Sequence, residues 1–186
     1  MKKIYLLSST SGDTCSFIQD YPEGEESIMG RAVDRSWHPF GNDYSAITLE
    51  LSRNDFGKRN YQFDFSSALN PFFVVSEDAI NKLKNILEPR GQVLPVITES
   101  KKKKFLGYYP TNSLSGCFDM DKSVYRVAER GLIIERPVLV ASNITDEYLF
   151  SINEDISRVF VTDKFKKRVE EAGLLGFDFS EEIPAV

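Results

Sequence analysis

The sequence predicts an α+β fold, with a mostly antiparallel or mixed β-sheet and two clear helices at about 77–88 and 163–172. Three observations predict it. Short runs of β-branched and aromatic residues recur along the chain, separated by Gly, Pro, Asn and Asp. Only two segments carry apolar residues at helical spacing, and each follows directly on a strand-like run and a hydroxyl residue. With 41% hydrophobic residues, 14 Phe and 8 Tyr in 186 positions, the chain has apolar mass enough to fold without disulfides or metals. The expectation is one domain over 1–186, β-rich and loop-rich over 1–70, with two strand-cap-helix units in 71–186.

Ile4-Tyr5-Leu6-Leu7 reads as a first strand. Behind Lys2 and Lys3 it imitates the opening of a signal peptide, but the apolar run stops at Ser8, short of the roughly 7–15 apolar residues an export core needs. No run approaches a membrane span, so the cytoplasm is the expected location. Residues 12–30 read as an acidic loop, holding Asp13, Asp20, Glu23, Glu25 and Glu26 with no Lys or Arg. Trp37-His38-Pro39-Phe40-Gly41 reads as an aromatic turn, and 46–52 as a strand. In Tyr61-Gln62-Phe63-Asp64-Phe65 the alternation puts three aromatics on one strand face.

Phe72-Phe73-Val74-Val75 is a buried-strand run, and Ser76 is a helix N-cap with Glu77 and Asp78 in the first turn. Ala79, Ile80, Leu83, Ile86 and Leu87 then form an apolar face, ended by Pro89 and Gly91. Residues 93–97 and 105–109 read as strands joined by a solvated tip, Lys101 to Lys104, with Pro95 marking an edge or a bulge. Short strands follow at 124–127, 132–134 and 138–140. Val159-Phe160-Val161 leads through Thr162 and Asp163 into a helix stopped by Gly173. Val75-Ser76-Glu77 and Val161-Thr162-Asp163 echo each other, either as a true repeat or as any two strand-cap-helix units that solve the same end problem.

No chemical signature stands out. The single histidine, His38, lies in the aromatic turn, and no nucleophile motif accompanies it. Cys15 and Cys117 form no CxxC pattern and read as reduced, buried thiols. Asp119-Met120-Asp121 with Ser123 opens like a calcium loop, but Val124 and Arg130 stand where an EF-hand has Gly and Glu. Neither a phosphate loop nor a dinucleotide fingerprint occurs. No catalytic residue, metal or cofactor is therefore expected. The formal charge of −5 argues against nucleic acid as a general partner and is compatible with a basic one.

In order, Phe73-Val74-Val75-Ser76 with its helix, Leu94-Pro95-Val96, Gly107-Tyr108-Tyr109 and Asn112 resemble a bacterial domain-of-unknown-function family classed among polymorphic-toxin immunity proteins. Cys117-Phe118-Asp119-Met120-Asp121-Lys122-Ser123-Val124-Tyr125 is similar to that family's Cys-x-Asp-x-x-x-Ser-x-Tyr stretch. The ending, Val159 to Asp163, a helix, Gly173 and Leu174-Leu175-Gly176-Phe177, is similar as well. The resemblance covers roughly residues 70–180 and departs from the family at Pro110-Thr111 and at the lysine tip. It implies a cytoplasmic, non-catalytic protein that binds and neutralises a cognate toxin, with the oligomeric state left open. Asp13, Asp20, Glu23, Glu25 and Glu26 are the expected contact residues. The alternatives are a small hydrolase or transferase using Asp119, Asp121 and Tyr125, and a regulatory protein-binding subunit.

Overall fold

The computed structural model describes residues 2–186. Its N-terminal part contains strands β1 (Ile4–Leu6), β2 (Ser8–Ser9) and β3 (Phe17–Asp20), helix α1 (Ile28–Asp34), and strands β4 (Ile47–Leu51) and β5 (Phe65–Ser66). Next come β6 (Phe73–Ser76), helices α2 (Glu77–Lys82) and α3 (Lys84–Leu87), and strands β7 (Gly91–Thr98), β8 (Phe105–Pro110) and β9 (Ser113–Leu114). The chain closes with the hairpin β10 (Val124–Ala128) and β11 (Gly131–Arg136), strands β12 (Leu149–Ile152) and β13 (Asp155–Thr162), helix α4 (Asp163–Glu171) and β14 (Phe177–Asp178). The α+β class is as the sequence predicts.

Two mixed sheets organise the molecule. The larger runs β3-β4-β7-β8-β6-β5, and its only parallel pair is β4 with β7. The smaller runs β1-β13-β12-β9 and is parallel only between β12 and β9. Period-two alternation lets the smaller sheet serve two cores. Val159 and Val161 of β13 pack with the larger sheet, and Phe160 between them packs with Phe118, Leu139 and Phe150 on the other side. On β1, Tyr5 and Ile4 divide in the same way.

Pro95 sits in an interior strand, contrary to the edge reading. Residues 91–95 of β7 pair with β8, whereas 96–98 pair with β4, so Pro95 stands at the hand-over. The ladder phase shows why it is tolerated. Thr111 N–H donates to the Arg90 carbonyl, so even-numbered residues of β7 aim their main-chain groups at β8 and Pro95 aims away, where its missing N–H breaks no bond.

Local structure departs from the sequence reading at further places, and of residues 138–140, read as a strand, only Leu139 pairs, through isolated bridges to Phe118 and Ala185. Residues 12–30 are not all loop, because they contain β3 and the start of α1, whose N-cap Ser27 accepts from Gly30 N–H. The helix expected at 77–88 divides at Leu83 and ends in a 3-10 turn, Glu88–Arg90. Of the 61–65 stretch only Phe65 pairs as a strand, together with Ser66, although Phe63 and Phe65 are both buried.

Trp37 joins the two sheets. It is buried, its main-chain N–H donates to Tyr109 Oη at 2.9 Å, and its ring stacks on Tyr109 of β8. The indole Nε1 reaches the Ile152 and Asp155 carbonyls of the β12–β13 hairpin at 3.3 and 3.0 Å. To do so Trp37 adopts φ 68°, a left-handed backbone conformation that costs energy for an aromatic residue. Close packing also dictates Gly107, where an added Cβ would lie 2.2 Å from Phe72 Cζ.

Candidate functional site

Charge is distributed unevenly along this fold. Residues 13–50 hold eight carboxylates and two arginines, a net −6, and the rest of the chain nets +1. All nine carboxylates of residues 1–60 lack an ion pair among the described residues, whereas twelve of the nineteen that follow have one. Of the unpaired acids, Asp20, Glu23, Glu25 and Glu26 gather where β3 leads into α1, and Asp34 and Asp43 lie between the end of α1 and the start of β4. That local excess of negative potential favours a basic partner.

Asp20, Glu23, Glu25 and Glu26 are exposed on β3's last residue and the turn that follows it, a turn closed by Glu25 N–H donating to the Pro22 carbonyl. Asp13 lies at the opposite end of β3, beside the 53–58 loop, where its carbonyl accepts from Asn54 Nδ2. The structure thus groups four of the five expected contact residues and sets Asp13 apart. On the outward face of the sheet Asp20 stands opposite Thr48, and Ile18, 50% exposed, stands opposite Glu50. Tyr21 and Met29, also exposed, flank the acidic turn in sequence. Exposed apolar side chains among free carboxylates have the composition of a contact surface with a polar rim.

Glu26 also borders a groove of about 390 Å³ that sequence reasoning missed. Arg31 and Arg35 place their guanidinium groups 5.5 and 5.0 Å from the Phe40 ring centre, and Asp34, His38 and Asp43 complete the rim. Arg35 Nε also donates to the His38 and Pro39 carbonyls, which fixes its plane. His38 is exposed, and its Nδ1 lies 2.9 Å from the Arg35 carbonyl oxygen. Burial pushes the hydroxyl of neighbouring Tyr44 up to about 12, although Arg31 pulls it down, so it stays protonated and donates to the Pro95 carbonyl.

The residues weighed for catalysis have structural partners. Asp119 Oδ1 accepts from the main-chain N–H groups of Asp121 and Lys122 and closes a turn, while Tyr125 packs edge-on against Phe118. Cys117 is buried beside the Ser115 and Asn143 carbonyls, and burial, with Glu154, pushes its thiol above the ordinary range. Buried Cys15 donates to the Lys58 carbonyl. Among the described residues no three His, Cys, Asp or Glu side chains converge as a metal would require. No helix among them is long and apolar enough to cross a membrane.

The lysine tip is more engaged than its sequence suggested. Lys103 reaches buried Asp64 at 3.0 Å, and Lys104 reaches Glu77 at 3.0 Å. Asp64 is a structural node, accepting in addition from Ser76 Oγ and from Leu175 N–H, each at 2.8 Å. Burial works against its charged form, but the Leu175 N–H, the Ser76 hydroxyl and Lys103 outweigh it and hold the carboxyl below the usual range.

No protein-family model matches this chain, and no curated protein matches it significantly.

Proposed function

We propose that this protein is a cytoplasmic, non-catalytic immunity protein that binds a cognate bacterial toxin and neutralises it by occupying the toxin's working surface. The observation that carries the reading is the confinement of the net negative charge to residues 13–50, where no carboxylate has an ion pair among the described residues. Free exposed acids speed the encounter with a basic protein, and neighbouring apolar side chains lengthen the stay. Asp20, Glu23, Glu25 and Glu26 are the principal contacts, and Asp13 contributes at longer range. The resemblance over residues 70–180 supports the class of partner.

The test is co-expression with the product of the adjacent gene, scored by survival of the host and by co-purification. Rescue with a stable complex is the expected result, and neither rescue nor complex would overturn the reading. Replacing Asp20→Asn, Glu23→Gln, Glu25→Gln and Glu26→Gln together should slow association about tenfold or more at low salt and flatten its salt dependence. Unchanged association kinetics would remove this face from the mechanism.

A further inference from the structure

At the far end of the same strands the charge reverses. β4 and β7 run parallel, so their C-terminal ends lie together, and the segments that leave them carry Arg53, Lys58, Arg59 and Lys101 to Lys104 against only Asp55 and Glu99, the latter paired with Arg59. Here the sheet also opens. Pairing between β7 and β8 stops at Pro95 opposite Leu106, while β7 continues through Ile97 and Thr98 with β4 as its sole partner. β8 meanwhile stays with β6, with Phe105 opposite Ser76 and the Lys104 carbonyl accepting from Glu77 N–H.

The two strands therefore diverge into a fork, with a cleft of about 580 Å³ between Val96–Thr98 and Phe105–Leu106, closed at the far end by the lysines. The ladder phase that turns Pro95 away from β8 turns the even-numbered residues toward it. Continued along β7, this alternation directs the main-chain N–H and C=O of Thr98 into the cleft, where no strand meets them. Thr98 is partly exposed and Ile97 is 53% exposed, so the edge is open to solvent. Of the four lysines, Lys103 and Lys104 are held by Asp64 and Glu77, whereas Lys101 and Lys102 are exposed and have no carboxylate partner among the described residues.

We infer that the β7–β8 fork is a second binding site, which takes an extended acidic segment of a partner protein. The segment adds to the free edge of β7 at Thr98, and its carboxylates meet Lys101 and Lys102. Each half of the site fits this occupant. An open strand edge bonds the main chain of any extended peptide, and the unpaired ammonium groups beside it select one bearing acidic side chains. The partner chemistry is the opposite of that proposed for the β3–α1 face, so one protein joins a basic and an acidic surface at the two ends of its larger sheet.

The probe is a synthetic, end-capped octapeptide of alternating Glu and Val, titrated into the isotope-labelled full-length protein. Its copy with every main-chain nitrogen methylated has the same charge but no main-chain donors. The expected result is saturable binding, slowed exchange of the Thr98 amide, and at least about tenfold weaker binding by the methylated copy. The double variant Lys101→Ala/Lys102→Ala should bind at least about fivefold more weakly with its thermal midpoint unchanged, because neither side chain makes an ion pair among the described residues. Equal binding of both peptides, competition by an oligonucleotide of matched charge, or no binding at millimolar peptide would each overturn the inference. None of these outcomes touches the toxin-rescue test, so the two readings stand or fall separately.

Discussion

Asp64 shows how much of this molecule rests on single polar atoms. Its carboxylate joins the cap of α2, the lysine tip and the C-terminal turn through partners 12, 39 and 111 positions away. Asp64→Asn should destabilise the fold by about 1.5–3 kcal/mol, the range for hydrogen bonds to charged groups, as read from urea midpoints. The pH dependence follows from the sign of the shift. The folded carboxyl is held below its unfolded value, so its contribution is complete above the unfolded pKa and is lost as pH falls through the folded one. The variant should therefore lose less stability than the parent on acidification over that window. Alternation in 61–65 put Asp64 on the face opposite the aromatics, and nothing local predicts a buried acid there, because its partners come from distant segments. Gly107 is a second such point. Gly107→Ala drives a methyl group into the Phe72 ring and should cost about 1–3 kcal/mol by the same measurement.

The two strand-cap-helix elements were legible in the sequence, and their difference was not. Ser76 Oγ accepts from Ala79 N–H at 3.1 Å and caps α2, as its residue type led one to expect. Thr162 makes no side-chain cap on α4; its hydroxyl instead donates to the Glu147 carbonyl at 2.8 Å. The echo between Val75-Ser76-Glu77 and Val161-Thr162-Asp163 is therefore one of sequence more than of bonding. Ser76→Ala should expose the first turn of α2 to faster amide exchange, whereas Thr162→Ala should loosen the 145–149 connection and leave α4 protected. Equal effects on both helix starts would contradict this assignment. Helix α1 escaped the sequence reading because it is short, carries Gly30 and lies within an acidic stretch. Its only signals were Ser27 as a cap and the Ile28–Ala32 spacing, both buried apolar positions one turn apart. The groove at Arg31 and Arg35 was missed with it.

Across the whole molecule, sequence pattern gave the α+β class, and the lopsided charge could be counted from the residues. It gave neither the division into two sheets nor the fork, because both depend on which strands pair across long separations. β13 supplies alternate side chains to both cores, so neither core can be dismantled without baring the other. Guanidinium unfolding should consequently be a single transition in circular dichroism, with no plateau that marks loss of the Phe118–Phe150 cluster alone. The clasp made by Trp37 gives this expectation an optical form. It is the only indole in the chain and touches both sheets at once, so intrinsic emission excited at the tryptophan band reports on their separation without any added label. A red shift that runs ahead of the loss of ellipticity would mean that the sheets part before they melt. Coincident curves would mean that parting and melting are one event.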